Sequence, residues 1–184
     1  MKTGLRMVMV LMMIFQGALV FAGGSQEDPV AEVSGRQVEV EPGWGFSWEF
    51  QDEEIIFTMA APTTGWVGIG FNPSRMMRDA SYVLAYVDNN GEVQIREDCG
   101  TGNTTHASDI SLGGTQDVRV LSGSQVNGQT EVTFVLPLDS GDEYDVVFTP
   151  GETYAVLLAY GPDGSNNFTS RHRSRTTLEV QLIP

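Results

Sequence analysis

Residues 65–82 read GWVGIGFNPSRMMRDASY, and near the other end of the chain residues 171–176 read RHRSRT. The first stretch places Met76 and Met77 between Arg75 and Arg78. The second surrounds His172 with Arg171, Arg173 and Arg175. Methionine offers a soft thioether and histidine an imidazole. Guanidinium groups beside both suit an anionic cofactor that carries a metal. Haem meets that description: its iron accepts Met/His axial ligation, and its propionates take charge-assisted hydrogen bonds from arginine. The competing reading is plain surface chemistry, with the arginines solvated and paired to some of the 24 acids.

The remaining motifs exclude more than they support. HExxH, G-x-S-x-G, a P-loop and a paired-cysteine metal site are all missing, so hydrolase chemistry has little footing. Covalent c-type haem attachment needs C-x-x-C-H, and Cys99 is the only cysteine. A lone thiol forms no internal disulfide; its expected role is that of a small buried residue. His106 lies in GTGNTTHAS, a loop-like stretch, and reads first as a surface histidine, with a place flanking the pocket as the lesser alternative.

Residues 1–22 read as a cleaved secretory signal peptide: Lys2 and Arg6, an apolar run from about Met7 to Val20, then a small residue at Ala22. The run is shorter than the roughly 20 residues a membrane span needs. Secretion or a periplasmic location is expected, with no membrane insertion of the mature chain. Cleavage removes five of eight methionines and the only lysine. Eight arginines then face 24 acids, a net charge of −16. Such a surface repels nucleic acid and favours a basic partner protein.

These residues need a scaffold. Residues 23–35 read as a flexible leader. Beyond them the apolar pattern alternates in period two: Arg36–Glu41, Gly45–Phe50, Glu54–Ala60, Gly65–Phe71, Ser81–Asp88, Glu92–Glu97, Asp117–Leu121, Thr130–Leu136, Tyr144–Phe148, Thr153–Tyr160 and Thr176–Leu182. Asn89-Asn90-Gly91 and Asn127-Gly128 mark hairpins. No stretch sustains a 3.6-residue period, so the fold class is all-β: an antiparallel sandwich of about ten strands over residues 36–184. In Gly65–Phe71, Trp66, Gly68 and Gly70 share one face, a flat strip beside an indole that admits something planar. Val67, Ile69 and Phe71 share the other. If RHRSRT is already strand, Arg171, Arg173 and Arg175 face one way and His172 the other.

The segment GWVGIGFNPSRMMRDASYVLAYVDNNGEV resembles the front half of a DOMON domain, the dopamine β-monooxygenase N-terminal type. PLDSGDEYDVVF resembles that family's leucine-plus-acidic segment. AVLLAYGPDGSNNFTSRHRSRTTLEVQL is similar to its last strand pair with the intervening histidine. The resemblance implies an immunoglobulin-like sandwich that binds haem b or a sugar. By likeness to the cytochrome domain of cellobiose dehydrogenase, it implies Met77 and His172 as axial ligands. Ala80-Ser81 stands where the family often has Asp, which keeps Met76 in play. Asp139, Asp142 and Asp145 would tie a loop to backbone amides.

The candidate cofactor-binding residues are therefore Met77, His172, Trp66, Phe71, Arg75, Arg78, Arg171 and Arg173, with Met77 and His172 on the metal. The expected activity is single-electron transfer with non-covalent haem b, without catalysis by this chain alone. The alternatives are a sugar-binding module using Trp44, Trp48, Trp66, Tyr82, Tyr86 and Tyr160 as stacking platforms, and a copper site on Met76, Met77 and a histidine.

Overall fold

A computed structural model describes residues 31–184; the signal segment and most of the leader lie outside them. The chain forms two six-stranded antiparallel sheets packed face to face. The first contains β1 (Glu32–Ser34), β2 (Gln37–Glu41), β3 (Trp44–Gln51), β4 (Glu54–Ala61), β9 (Arg119–Val126) and β10 (Gln129–Pro137), in the order β1-β2-β3-β4-β10-β9. The second contains β5 (Val67–Phe71), β6 (Ser81–Val87), β7 (Val93–Cys99), β8 (Ala107–Ser108), β11 (Thr153–Tyr160) and β12 (Ser174–Gln181), in the order β12-β11-β5-β6-β7-β8. A one-turn helix, α1 (Asp109–Leu112), follows β8.

The period-two pattern sets the core. Ile55, Phe57 and Met59 of β4 and Val132 and Phe134 of β10 face Val67, Ile69 and Phe71 of β5 and Val156 and Leu158 of β11, all essentially closed to solvent. Phe57 joins the sheets, with ring centroids 5.3 Å from Phe71 and 5.7 Å from Phe134. Both hairpin signals are turns with left-handed residues: Gly91 at φ 82°, and Asn127-Gly128 at 53° and 80°.

Twelve strands replace about ten. β1 is built from residues read as leader, paired to β2. Tyr144–Phe148, expected as a strand, is a turn and irregular chain. Local side-chain hydrogen bonds win there: Asp142 accepts from the Tyr144 amide at 3.0 Å, and Tyr154 Oη accepts from the Thr149 amide at 2.7 Å.

Candidate functional site

The outer face of the second sheet carries the site. Strand register sets two rows of side chains across it: Arg175, Ala159, Gly68, Leu84 and Arg96, then Thr177, Leu157, Gly70, Tyr82 and Asp98. Over this floor lies a cavity of about 710 Å3, within the roughly 300–1,000 Å3 typical of small-ligand sites. Its walls are three loops: residues 72–80, 100–106 and 161–173.

Met77 enters from the first loop, half-buried, and its neighbour Met76 is 48% exposed. Both border the cavity. The loop is pinned to its neighbour: the Met77 amide donates to Asn103 O at 3.4 Å, and the Asp79 amide donates to Gly100 O at 2.8 Å. Tyr82 Oη donates to Met77 O at 3.3 Å. Gly100 is required here, since a Cβ would lie 1.7 Å from Met77 O. Met76 itself holds a left-handed φ of 56°, a conformation disfavoured for a side-chain-bearing residue.

His172 enters from the third loop. That loop is tied down by Thr63 Oγ1 donating to Gly161 O at 2.8 Å and by Trp66 Nε1 donating to Ser170 Oγ at 2.9 Å. Burial and then the Arg175 and Arg171 guanidinium groups hold the His172 imidazole below its ordinary pKa, so it favours the neutral, ligating form.

Met77, His172, Trp66 and Arg171 of the expected set thus border one cavity, although nearly a hundred residues separate the first two. The other four do not. Phe71 points into the sandwich core, 5.0 Å from Phe148 in an edge-to-face pair, because it alternates with the outward Gly70. Arg75 and Arg78 are exposed at the tip of a tight turn that bridges them to each other. Arg173 is exposed and pairs with Asp163 at 3.2 Å. Arg175 takes its place at the cavity, because β12 begins only at Ser174 and the expected alternation over residues 171–173 fails.

The glycine strip has its planar occupant already. A Cβ on Gly70 would lie 2.3 Å from the Tyr82 ring, and one on Gly68 would lie 2.6 Å from Leu84 Cδ2. Small residues there let Tyr82 and Leu84 fold over β5. Trp44, Trp48 and Tyr160 are core, Trp44 and Tyr160 packed edge-on at 5.1 Å, which leaves few aromatics for stacking a sugar.

His106 borders the cavity too and is no simple surface residue. Its Nδ1 donates to Asp98, which is fully buried. Arg96 donates to the same carboxylate through Nε at 2.5 Å and Nη2 at 2.7 Å, and stacks over Phe168 at 4.6 Å. Sequence reasoning missed this group. The available signal was Glu97-Asp98, two acids in a row inside a strand whose neighbours are apolar.

Glu97 faces the opposite way from Asp98. It accepts from the Asp117 and Val118 amides at 2.5 and 2.9 Å and adjoins Asp109, Asp117 and Asp145. Burial, reinforced by Asp145 and Asp117, pushes Glu97 up to about 7, and burial with Asp145 and Glu97 pushes Asp109 up to about 8. Both Asp109 oxygens are buried without a hydrogen-bond partner. Asp139 and Asp142 do bind backbone amides, those of Gly141 and Thr115 among them, whereas Asp145 takes the Ser140 hydroxyl. Cys99, expected to be buried, is half-buried, and burial raises its thiol.

The family model of the DOMON domain matches residues 43–161. The chain belongs to the DOMON family. It is 30% identical over 129 residues to DBH-like monooxygenase protein 2 of Mus musculus, covering 70% of this chain and 20% of that protein. The DOMON chain therefore spans about a fifth of that relative's length. Among solved structures it is similar to the cytochrome b domain of pyranose dehydrogenase from Coprinopsis cinerea, with a TM-score of 0.54 at 16% identity and 75% of each chain covered. It is similar to the same degree to the cytochrome domain of Myriococcum thermophilum cellobiose dehydrogenase, with a TM-score of 0.53 at 13% identity and 75% of each covered. At these identities the likeness is one of fold.

Proposed function

We propose that this DOMON domain binds haem b without a covalent bond, between Met77 and His172, and serves as a single-electron carrier. One observation carries the reading: a thioether, an imidazole that favours its neutral form and two guanidinium groups, Arg171 and Arg175, border one cavity of about 710 Å3 whose floor is apolar at its centre, at Leu157, Ala159, Gly68 and Leu84. That donor set fits the group. Bound there, haem would supply a one-electron couple, and a Met/His pair favours the reduced state relative to bis-histidine ligation. Met77 and His172 would hold the iron as its protein ligands, and the chemistry supplied would be electron relay rather than oxygen activation. Arg171 and Arg175 would hold the propionates. Trp66, locked by Ser170, and Leu157 would exclude water.

The signal segment directs the carrier to the secretory or periplasmic space, where its acidic surface meets a basic redox partner. The test is reconstitution of the purified domain with haem under reducing conditions. A stoichiometric Soret band with sharp low-spin ferrous bands is expected, converting to high spin on His172→Ala. A wild-type protein that gives no Soret band above free haem sinks the reading.

A further inference from the structure

The haem reading uses one of the two imidazoles at the cavity, and it is the less anchored one. The His172 side chain is engaged by its own backbone rather than by a neighbouring residue. His106 is held by the fully buried Asp98, itself gripped by Arg96 through two hydrogen bonds. An ionised carboxylate only accepts, so the His106 Nδ1 bears hydrogen and Nε2 is the ring nitrogen left to meet a ligand. No hydrogen bond within the described residues engages that nitrogen. A carboxylate on the far ring nitrogen is the arrangement that orients a metal-ligating histidine and strengthens it as a donor.

Position adds to this. The second sheet runs β12-β11-β5-β6-β7-β8. His172 precedes β12 at one edge, and His106 precedes β8 at the other. Met77 belongs to the His106 side: its loop is bonded to Asn103 and Gly100, and Tyr82 joins the two, donating to Met77 O with its ring 6.2 Å from the His106 ring. Met77 and His106 therefore approach the cavity from the same side, and His172 approaches from the other.

We propose that His106 is a second imidazole ligand of this cavity and exchanges with Met77 according to oxidation state. The proposal rests on the haem reading and deepens it. Thioether ligation favours ferrous iron, whereas a carboxylate-backed imidazole favours ferric iron. Met77 and His172 hold the reduced form. With haem bound, Met77 Sδ would hold the reduced iron, and once a one-electron acceptor had taken the electron His106 Nε2 would hold the oxidised iron in its place, with Nδ1–H kept on Asp98. Reduction reverses the exchange. Asp98 is a positioning residue that acts through His106.

The experiment oxidises the haem-reconstituted domain with ferricyanide and reads electron paramagnetic resonance and the near-infrared thioether-to-iron band. The wild-type ferric protein should show a bis-imidazole signal and no thioether band. His106→Gln should restore the thioether band, and Met77→Ala should leave the ferric spectrum unchanged while lowering the midpoint potential. Asp98→Asn, which keeps the shape and weakens the imidazole, should give a mixture of the two ferric forms. A thioether band in the wild-type ferric protein that His106→Gln does not change overturns the proposal. Met77→Ala turning high-spin on oxidation overturns it as well. Failure of the haem reading itself looks different: no Soret band in the wild type in either oxidation state.

Discussion

Glu97 and Asp98 are adjacent, both are buried, and they face opposite sides of β7. Asp98 points to the cavity, where Arg96 and His106 share its charge. Glu97 points to the acidic cluster, where two amides help it and Asp145 and Asp117 oppose it. The neighbourhood decides what a buried acid does. With a guanidinium and an imidazole donating to it, Asp98 holds the His106 ring in place. Among other acids, Glu97 is driven toward its neutral form. One strand thus separates a side that organises a ligand cavity from a side that stores electrostatic strain.

Removing the two acids should break this comparison most sharply. Asp98→Ala strands a partly buried guanidinium and frees the His106 ring, so unfolding in urea should show a loss of about 3 kcal/mol. Glu97→Gln keeps an acceptor oxygen for the Asp117 and Val118 amides and deletes the repulsion. At pH 8 it should be neutral or stabilising. Comparable losses from both variants would mean that the two faces are not electrostatically different.

Gly161 tests how firmly the cavity wall is fitted. A Cβ there would lie 2.3 Å from Trp66 Nε1. Gly161→Ala must push the indole off Ser170 and should cost about 1–3 kcal/mol. Haem titration should show weaker binding in the same variant. Unchanged stability and binding would show that the Trp66 clamp has slack.

The acidic side should announce itself in pH dependence. Glu97 and Asp109 bind protons more tightly folded, at about 7 and about 8, than unfolded, near the ordinary carboxylate value of about 4. Between about pH 4 and 8 the folded chain therefore carries more protons. By linkage, these two groups make stability fall as pH rises through that window. Thermal melting should decline from pH 5 to pH 8, and Asp109→Asn should flatten the decline by roughly 1 kcal/mol. His172, whose pKa is lowered, works in the opposite sense below about pH 6.5. An Asp109→Asn profile that parallels the wild type would remove Asp109 from the account.

The parts of this molecule that follow local rules could be read in the sequence. Alternation gave β2 to β6, β10 and β11 within a few residues, and Asn127-Gly128 marked its turn by its need for positive φ. The convergence of Met77 with His172 was legible because their arginine-rich surroundings are unusual in so acidic a chain. What alternation could not show is where it stops. Residues 171–173 look like strand but precede it, so Arg173 was placed at the site in place of Arg175. Phe71 followed Trp66 into the candidate set although neighbours in parity face opposite ways. The anchoring of His106 was invisible because it lies in Asp98, eight residues earlier and across the β7–β8 pairing, and no one-dimensional pattern joins them.

Arg173 gives the smallest and most discriminating test of the cavity side. It lies two residues from Arg171 and Arg175, and from sequence the three are interchangeable. In the structure Arg171 and Arg175 border the cavity, whereas Arg173 reaches Asp163 at the surface with both partners more than half exposed. An exposed pair of this kind contributes at most about 1 kcal/mol, and it has no route to a bound propionate. Arg173→Ala should leave haem affinity within about twofold and stability within about 0.5 kcal/mol. Arg171→Ala and Arg175→Ala should each weaken binding by about tenfold, the loss of one charge-assisted contact. Equal effects at all three positions would mean that the arginines act as a diffuse positive field, and the assignment of individual guanidinium groups to the cavity would fall.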